Sequence, residues 1–334
     1  MSDRIRIGLL SALLALSAAV GLGTVTAATA ATAATAATAA TADGAVSMIT
    51  APGDYSFTLT HGGQTRAYLV HVPRSYQPAV ATPLLVAFHG GGGNMRFQAD
   101  DENYGLVSKS ESAGFIAVFP NGYSRFPGGN LATWNAGACC GVARDKGIDD
   151  VGFVRNLLAQ VQRQLNIDAK RIYATGMSNG GMLTQRLACE MAEVFKAIAP
   201  VAGTDNTRVC SPSRPISVIE FHARDDDQVL FNGGAGAGAF RDKSKVTDFS
   251  SVPETMRRWR ERNACQATPT RVLERPGAYC ERYAGCRDGV ALQLCVTDTG
   301  GHSWPGADRV RKGKPGASQA ISANDLMWDF FSQL

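Results

Sequence analysis

The sequence predicts an α/β fold in which an open, mostly parallel sheet is covered by helices on both faces. Continuous apolar runs at 83–88 and 115–119 are typical of parallel strands that are buried on both faces. After an N-terminal hairpin pattern, strand and helix patterns alternate in the order β-α-β-α-β, which favours this architecture. The 334 residues are 45% hydrophobic, which is enough for one large buried core.

The first predicted elements form a hairpin near residue 50, where we expect the folded domain to begin. Two alternating runs at 54–60 and 65–72 flank the turn residues Gly62 and Gly63. The two apolar strands follow this hairpin. The polar stretch that separates them is expected to be helical within 94–112.

The second half of the predicted sheet surrounds one short glycine-containing motif. An amphipathic helix at 149–161, capped by Asp149, leads into a β-prone run at 171–175. Apolar residues at helical spacing then predict a helix at 181–189. The remaining predicted elements are strands at 195–202, 216–222, 279–283 and 291–295 and a closing helix at 323–331.

The N-terminal region has the pattern of an exported protein. Residues 1–30 read as a signal peptide, because two arginines precede an apolar run and Ala-x-Ala cleavage sites follow it. A retained membrane anchor is the alternative, since the run is close to spanning length. An Ala/Thr-rich spacer at 31–49 leads to a single catalytic domain at 50–334. We expect a secreted protein, extracellular or periplasmic, without a membrane in its mature form.

Charge and motif content point away from several classes of partner. The formal net charge is +4, and Lys and Arg are scattered rather than clustered, so we expect no nucleic-acid partner. No cysteine pair has the CxxC spacing of a zinc site. The glycine run at 90–93 lacks both patterns of a phosphate-binding loop, GxGxxG and a following GKS/T. The sequence therefore predicts no metal and no cofactor.

Eight cysteines behind an export signal predict the disulfides of an oxidising compartment. One pair follows from local geometry. If the predicted hairpin around Arg287 and Asp288 is symmetric, Cys280 faces Cys295 at bridging distance. A register shift by one residue would separate these two cysteines.

A Gly-x-Ser-x-Gly motif occupies 176–180, with Ser178 at its centre, between the strand at 171–175 and the helix at 181–189. This context is the one that a nucleophile elbow requires, because the serine must sit in a tight turn above the sheet edge. The glycines avoid the collision that a Cβ atom would cause there. The alternative is a glycine-rich turn without chemistry. We interpret Ser178 as a nucleophile.

A serine nucleophile needs a general base and a carboxylate that orients this base. On a sheet of this kind, the expected chain order is serine, acid, histidine. Only His222 and His302 follow Ser178, and His222 ends a predicted strand. His302 lies in a glycine-containing loop that can deliver its ring to the sheet edge, so it is the predicted base. Three consecutive aspartates at 225–227 are candidates for the acid, and spacing alone does not separate them.

The negative charge that develops during nucleophilic attack needs backbone N–H donors. The glycine run at 90–93 directly follows the strand at 83–88, where it can present an amide without obstruction by side chains. The amides of Gly91 and Asn179 therefore form the predicted oxyanion hole.

Three further residues are predicted to contact substrate: His89, Trp134 and Trp304. Trp304 lies two residues after the predicted base, and His89 precedes the glycine run. Trp134 begins a loop that contains Cys139 and Cys140, which we expect to bridge to other cysteines rather than to each other. A packed Trp134 in a disulfide-anchored structural loop is the alternative to a substrate contact.

Five motifs occur in a consistent order between about residue 54 and residue 334. They are His89-Gly90 with the glycines that follow, Trp134-Asn-Ala-Gly-Ala-Cys-Cys-Gly141, Gly176-Met-Ser-Asn-Gly-Gly181, His222-x-x-x-Asp226 and Gly301-His-Ser-Trp-Pro-Gly306. Together they closely resemble the secreted polyhydroxybutyrate depolymerase-type esterases, a family akin to feruloyl and acetylxylan esterases of the first carbohydrate esterase family. The resemblance implies an α/β-hydrolase fold and ester hydrolysis through an acyl-enzyme.

The resemblance also selects one of the candidate acids and implies one disulfide. The family acid lies four residues after a strand-end histidine, which selects Asp226 and implies a triad with Ser178 and His302. Asp225 stays open, because Ala223-Arg224-Asp225 replaces the small residues that are usual there. The family also ties the segment at Cys265 to that at Cys286, and the Cys280–Cys295 pair looks like an addition.

One scaffold hosts many ester substrates, so the family does not fix the substrate. We expect a serine carboxylesterase that acts on feruloyl-type esters of plant cell walls or on similar aryl and short-acyl esters. Depolymerisation of polyhydroxybutyrate is the alternative within this class. A secreted binding protein on a hydrolase scaffold, without turnover, is the alternative from a different class.

Overall fold

Ten strands form one sheet in the computed structural model of the protein, which describes residues 47–239, 247–310 and 316–334. The predicted signal peptide and most of the predicted spacer lie outside the described residues. The strands are β1 (Gly53–His61), β2 (Gln64–Val72), β3 (Thr82–Phe88), β4 (Ile116–Pro120), β5 (Ile167–Met177), β6 (Ala197–Val201), β7 (Ser217–Ala223), β8 (Thr270–Arg275), β9 (Ala278–Tyr283) and β10 (Leu292–Thr297).

The sheet is parallel at its centre and antiparallel at both edges. Its strands are hydrogen-bonded in the order β1-β2-β4-β3-β5-β6-β7-β10-β9-β8. The central strands β4, β3, β5, β6, β7 and β10 are parallel. The β1–β2 hairpin extends one edge and the antiparallel strands β9 and β8 extend the other. This arrangement confirms the predicted open, mostly parallel sheet, and it places the carboxyl ends of the central strands along one rim.

Helices cover both faces of this sheet. They are α1 (Met95–Ala99), α2 (Asp101–Tyr104), α3 (Leu106–Ala113), α4 (Gly141–Asp145), α5 (Asp150–Gln164), α6 (Asn179–Glu190), α7 (Val252–Arg262) and α8 (Ala323–Ser332). Strand β3 shows why its apolar run is continuous. Leu84, Val86 and Phe88 belong to the hydrophobic cluster that includes α5, α6 and α7, whereas Leu85 and Ala87 belong to the cluster that includes α3 and α8.

Three elements, strand β8 and helices α4 and α7, were not predicted, and one predicted helix is divided. The sequence shows no strand pattern for β8, because β8 is a mostly exposed edge strand rich in charged residues. Helix α7 carries a recognisable start signal, since the Ser251 hydroxyl accepts a hydrogen bond from the amide of Glu254 at 3.0 Å. The stretch expected to be helical within 94–112 forms three short helices, separated in part by Gly105 with a φ of 63°.

The disulfides confirm one local argument and correct another. Cys280 lies opposite Cys295 in the β9–β10 register, with their Cα atoms 4.1 Å apart, and the two are bridged as predicted. The expectation for Cys139 and Cys140 is wrong: they bridge to each other, with their Cα atoms 3.1 Å apart, and the peptide bond between them is cis. The other bridges are Cys265–Cys286, which the resemblance implied, and Cys189–Cys210.

No helix within the described ranges combines the length and the apolar character that crossing a membrane requires.

Candidate active site

Ser178 occupies the sharp turn between strand β5 and helix α6. Its φ of 55° and ψ of −120° are rare for a residue other than glycine. Two backbone hydrogen bonds of 2.8 Å hold this conformation: the Ser178 amide donates to the Val201 carbonyl, and the Ser178 carbonyl accepts from the Met182 amide. The strained turn therefore holds the serine at the carboxyl end of β5, as expected of a nucleophile elbow.

The glycines around Ser178 are required by close backbone contacts. A Cβ atom on Gly176 would lie 2.5 Å from the carbonyl carbon of Gly180. A Cβ atom on Gly180 would lie 2.6 Å from the carbonyl oxygen of His89 and would also overlap that of Phe88. Because all of these neighbours are main-chain atoms between two packed elements, they cannot rotate away as a side chain could.

We expect Gly180→Ala to destabilise the protein by about 2 kcal/mol or more, since overpacking against backbone moves strand β3 or helix α6. Urea unfolding measures this change in the free energy of unfolding. Gly316→Ala is the matched control, because its Cβ atom would meet nothing within 4 Å. Equal stability of the two variants would contradict the close contact between the elbow and β3.

The loop after β10 brings His302 to the loop after β7. Nδ1 of His302 lies 2.7 Å from Oδ2 of Asp226. The other oxygen of Asp226 accepts hydrogen bonds from the amides of Gln228 at 2.8 Å and Val229 at 2.9 Å. Asp225 points elsewhere: its Oδ1 accepts a hydrogen bond from the amide of Gly301 at 2.8 Å. Of these two aspartates, Asp226 contacts the imidazole and Asp225 braces the loop that carries it.

The surroundings of Asp226 favour its ionised form. The residue is 2% exposed, and burial alone would raise its pKa. The charge of His302 and hydrogen bonds from His222 and His302 outweigh burial, so the pKa of Asp226 lies well below its usual range. The carboxylate is therefore available as a hydrogen-bond acceptor for Nδ1 of His302 at any pH near neutrality.

The glycine run after β3 packs directly against the elbow. A Cβ atom on Gly90 would lie 3.6 Å from Cβ of Ser178, and one on Gly91 would lie 3.5 Å from Cβ of Asn179. The backbone of Gly91 thus lies next to the first residue of α6. Amides at this position and at a helix N-terminus suit a developing negative charge. The oxyanion hole formed by the amides of Gly91 and Asn179 stays a prediction.

Trp134 and His89 lie behind this loop and do not line the cavity described below. Both residues are fully buried. Nε1 of Trp134 donates to the carbonyl of His89 at 2.9 Å, and the Asn179 side chain bonds to the amide and carbonyl of Trp134 at 2.8 and 2.9 Å. Nε2 of His89 accepts from the amide of Gly122 at 2.9 Å. Direct contact of these two rings with substrate, predicted from the sequence, does not fit this placement, because both are buried and connect the segment that begins the glycine run to Asn179 in the elbow.

Ser178 and His302 open into one cavity of about 620 Å³, a volume that includes its open mouth. Trp304, predicted to shape the site, lines it, packs edge-on against Tyr104 at 5.2 Å and donates from Nε1 to Asn324 at 3.0 Å. The remaining lining residues are Gly90, Gly91, Phe97, Asn103, Met177, Gln228, Ser303, Arg309 and Val310.

Sequence reasoning missed the aromatic residues Phe97 and Tyr104 in this cavity. They lie on the short helices α1 and α2, in a stretch that reads as polar. Their rings are in contact at 5.8 Å. No motif marks them, since their position depends on how these helices fold over the rim. Within the described ranges, no group of three or more His, Cys, Asp or Glu side chains is arranged to hold a metal ion.

Comparisons with known proteins find one matching family model and several similar esterases. The prolyl oligopeptidase family (Peptidase_S9) model matches residues 112–234, less than half of the chain. Feruloyl esterase B of Piromyces equi is 30% identical over 243 residues, which are 71% of this chain and 42% of that protein. The bifunctional acetylxylan esterase/xylanase XynS20E of Neocallimastix patriciarum is 25% identical over 81% of this chain and 34% of that protein. The chain therefore spans less than half the length of these two relatives.

Other relatives match over most of their length. Feruloyl esterase C of Emericella nidulans is 26% identical over 82% of this chain and 87% of that protein. The acetyl xylan esterase structure from Aspergillus awamori has a TM-score of 0.53 at 15% identity and covers 80% of this chain and 94% of that one. An S-formylglutathione hydrolase from Agrobacterium tumefaciens has a TM-score of 0.50 at 13% identity, over 86% and 99%. The fold is thus the α/β-hydrolase fold, and the chain is similar in sequence to feruloyl esterases.

Proposed function

We propose that this protein is a serine carboxylesterase that hydrolyses feruloyl-type or other aryl and short-acyl esters. The observation that carries this proposal is the hydrogen bond of 2.7 Å between His302 and Asp226, with His302 and Ser178 lining the same cavity. The names of the relatives, feruloyl and acetylxylan esterases, support the reaction class and the substrate class.

The roles of the residues follow from their positions. Ionised Asp226 accepts a hydrogen bond from Nδ1 of His302, so Nδ1 carries the proton and Nε2 is left as the base. Nε2 removes the proton of the Ser178 hydroxyl while Oγ attacks the ester carbonyl. The amides of Gly91 and Asn179 stabilise the oxyanion, and His302 then returns its proton to the leaving alcohol. Water attacks the resulting acyl-enzyme by the same route and releases the acid.

The residues that line the cavity favour the binding of an aryl acyl group. Phe97, Tyr104 and Trp304 present three aromatic rings beside Ser178, and flat aryl groups gain from stacked or edge-on contacts with such rings. Gln228 and Arg309 add polar groups to the lining. None of the relatives named above has a polyester in its name, so the polyhydroxybutyrate alternative has no support from them.

Methyl ferulate and amorphous polyhydroxybutyrate discriminate between the two ester classes. We expect release of ferulate and little release of hydroxybutyrate under the same conditions.

Phe97→Ala should lower kcat/KM for methyl ferulate about 10-fold, since one aryl contact contributes about 1 kcal/mol or slightly more. The same variant should change kcat/KM for p-nitrophenyl acetate by no more than about 3-fold.

Phe126→Ala is the matched control, because Phe126 is exposed and is not among the lining residues. It should leave both kcat/KM values unchanged. Release of hydroxybutyrate without release of ferulate would favour the hypothesis of a polyhydroxybutyrate depolymerase. Cleavage of a peptide amide, without cleavage of any ester, would instead favour the reaction named by the matching peptidase family.

Export is part of the same proposal. All eight cysteines fall within the described residues and all are paired in disulfides. Disulfides persist in oxidising compartments and are rare in the cytosol. This supports an extracellular or periplasmic location.

A further inference from the structure

A second histidine and a second acid lie behind the catalytic carboxylate. Glu220 and His222 are two residues apart on β7, so their side chains share one face of the sheet. Both side chains are completely buried. The mechanism above uses neither of them. Because an ionisable group at such depth is costly unless it is compensated, each must be explained by its neighbours.

The contacts of His222 connect it to Asp226 on one side and to Glu220 on the other. Nε2 of His222 lies 2.8 Å from the carbonyl oxygen of Val229, so this nitrogen carries a hydrogen. The same nitrogen lies 3.4 Å from Oδ2 of Asp226, the oxygen that accepts from His302. Nδ1 of His222 lies 3.6 Å from Oε1 of Glu220. These last two atoms are buried and have no other hydrogen-bond partner.

Glu220 is itself held in place from behind. Its Oε2 accepts a hydrogen bond from Nε2 of Gln185 at 2.8 Å. The Gln185 carbonyl in turn accepts from Nε1 of the fully buried Trp259 at 2.5 Å. A fixed chain therefore runs from Trp259 on α7 through Gln185 on α6 to the carboxylate on β7. This rigidity favours one position of Oε1, facing the imidazole.

One proton must lie between Oε1 of Glu220 and Nδ1 of His222, because two bare acceptors would repel each other in a dry site. If the proton is on nitrogen, His222 is an imidazolium between two carboxylates. We propose that Glu220 and His222 form this buried ion pair and act as positioning residues, holding Asp226 and placing a positive charge behind it. The pair thereby sets how strongly Asp226 interacts with the imidazole of His302.

The electrostatics around the pair agree with an imidazolium. Burial lowers the pKa of His222, but its contacts with Asp226 and Glu220 outweigh burial and raise the pKa above its ordinary value. Burial also raises the pKa of Glu220, and His222 opposes this rise. Asp205, in the segment after β6, adds negative charge near Glu220 and is itself paired with Arg262 at 2.7 Å.

Removing the positive charge of His222 should strengthen the interaction of Asp226 with the protonated form of His302. In Glu220→Gln, the new amide can donate to Nδ1 of His222, which then stays neutral with its hydrogen on Nε2. Asp226 loses its second cation, so its carboxylate interacts more strongly with the protonated form of His302. We expect the acidic limb of the kcat/KM profile for p-nitrophenyl acetate to move up by less than about one pH unit, because the variant loses the more distant negative charge of Glu220 together with the positive charge of His222. His222→Gln should move it in the same direction, and the double variant should move it no further.

Ser110→Ala is the control for general damage to a buried polar site. Its hydroxyl is fully buried, bonds to the carbonyl of Phe115 and lies on α3, on the opposite face of the sheet. This variant should lose stability without moving the limb. A uniform loss of activity in the Glu220 and His222 variants, with the limb unmoved, would overturn the positioning role and leave a merely structural one.

This inference rests on the proposed function for its kinetic readout, so a second readout is independent of turnover. The chain has five histidines, and NMR titration of their ring protons follows each one in the wild-type protein. We expect His222 to stay protonated above pH 8 in the wild-type protein and to be neutral at pH 7 in Glu220→Gln. A His222 ring that is neutral at pH 7 would overturn the ion pair, whereas an absence of ester hydrolysis alone would contradict only the proposed function.

Discussion

Replacement of Ser178 by alanine should lower kcat/KM for p-nitrophenyl acetate by about 10⁴-fold or more, because it removes the atom that forms the acyl-enzyme. The fold should survive this change. The Ser178 side chain makes no capping hydrogen bond to α6, and alanine places the same Cβ atom in the same strained turn. The strained backbone conformation therefore destabilises the serine and the alanine variant by the same amount.

Circular dichroism and urea unfolding check the fold of Ser178→Ala, and initial rates check its activity. A free energy of unfolding within about 0.5 kcal/mol of the wild-type value, or slightly above it, is the expected companion result. Activity that persists in a variant of unchanged stability would remove Ser178 from the chemistry. It would also leave the elbow as a structural turn.

The comparison of Asp226→Asn with Asp225→Asn has the second largest expected effect. An amide at 226 can present its N–H₂ group to Nδ1 of His302, which favours the tautomer that carries its proton on Nε2 and cannot act as a base. Loss of the orienting carboxylate in a triad of this kind lowers kcat by about 10⁴-fold. We expect a loss of that order for Asp226→Asn with p-nitrophenyl acetate.

Asp225→Asn should reduce kcat by less than about 10-fold, because the amide oxygen can still accept the hydrogen bond from Gly301. The two variants change neighbouring residues by the same single group, so each controls for the other. A larger loss of kcat in Asp225→Asn than in Asp226→Asn would show that the loop rearranges in the working enzyme and that Asp225 serves as the acid.

The parts of this fold that the sequence predicts well are those with a strict local pattern. The apolar run of β3 is continuous because alternate residues such as Leu85 and Val86 enter two different hydrophobic clusters. The Cys280–Cys295 bridge follows from hairpin register, which a period of two residues specifies strongly. The edge strand β8 carries no such pattern, since it faces solvent.

The parts of the site that sequence reasoning placed wrongly or missed depend on tertiary packing. Trp134 has the residue type of a substrate contact, yet its indole N–H is needed by the carbonyl of His89 in the interior. Phe97 and Tyr104 reach the cavity only because short helices fold over the rim. The sequence also does not show which of the three consecutive aspartates contacts His302. Asp225 and Asp226 are neighbours, and only the direction of each side chain decides that Asp226 contacts His302 and Asp225 contacts Gly301.

Covalent labelling of the wild-type protein tests the central claim, that Ser178 is an activated nucleophile, most directly. A fluorophosphonate reacts with an activated serine and adds one group to it, and the intact mass together with peptide mapping locates this group. We predict one adduct per chain, on Ser178, that forms at a much lower rate in Asp226→Asn. No adduct, or an adduct on another residue, would contradict the esterase proposal and favour a binding protein on a hydrolase scaffold.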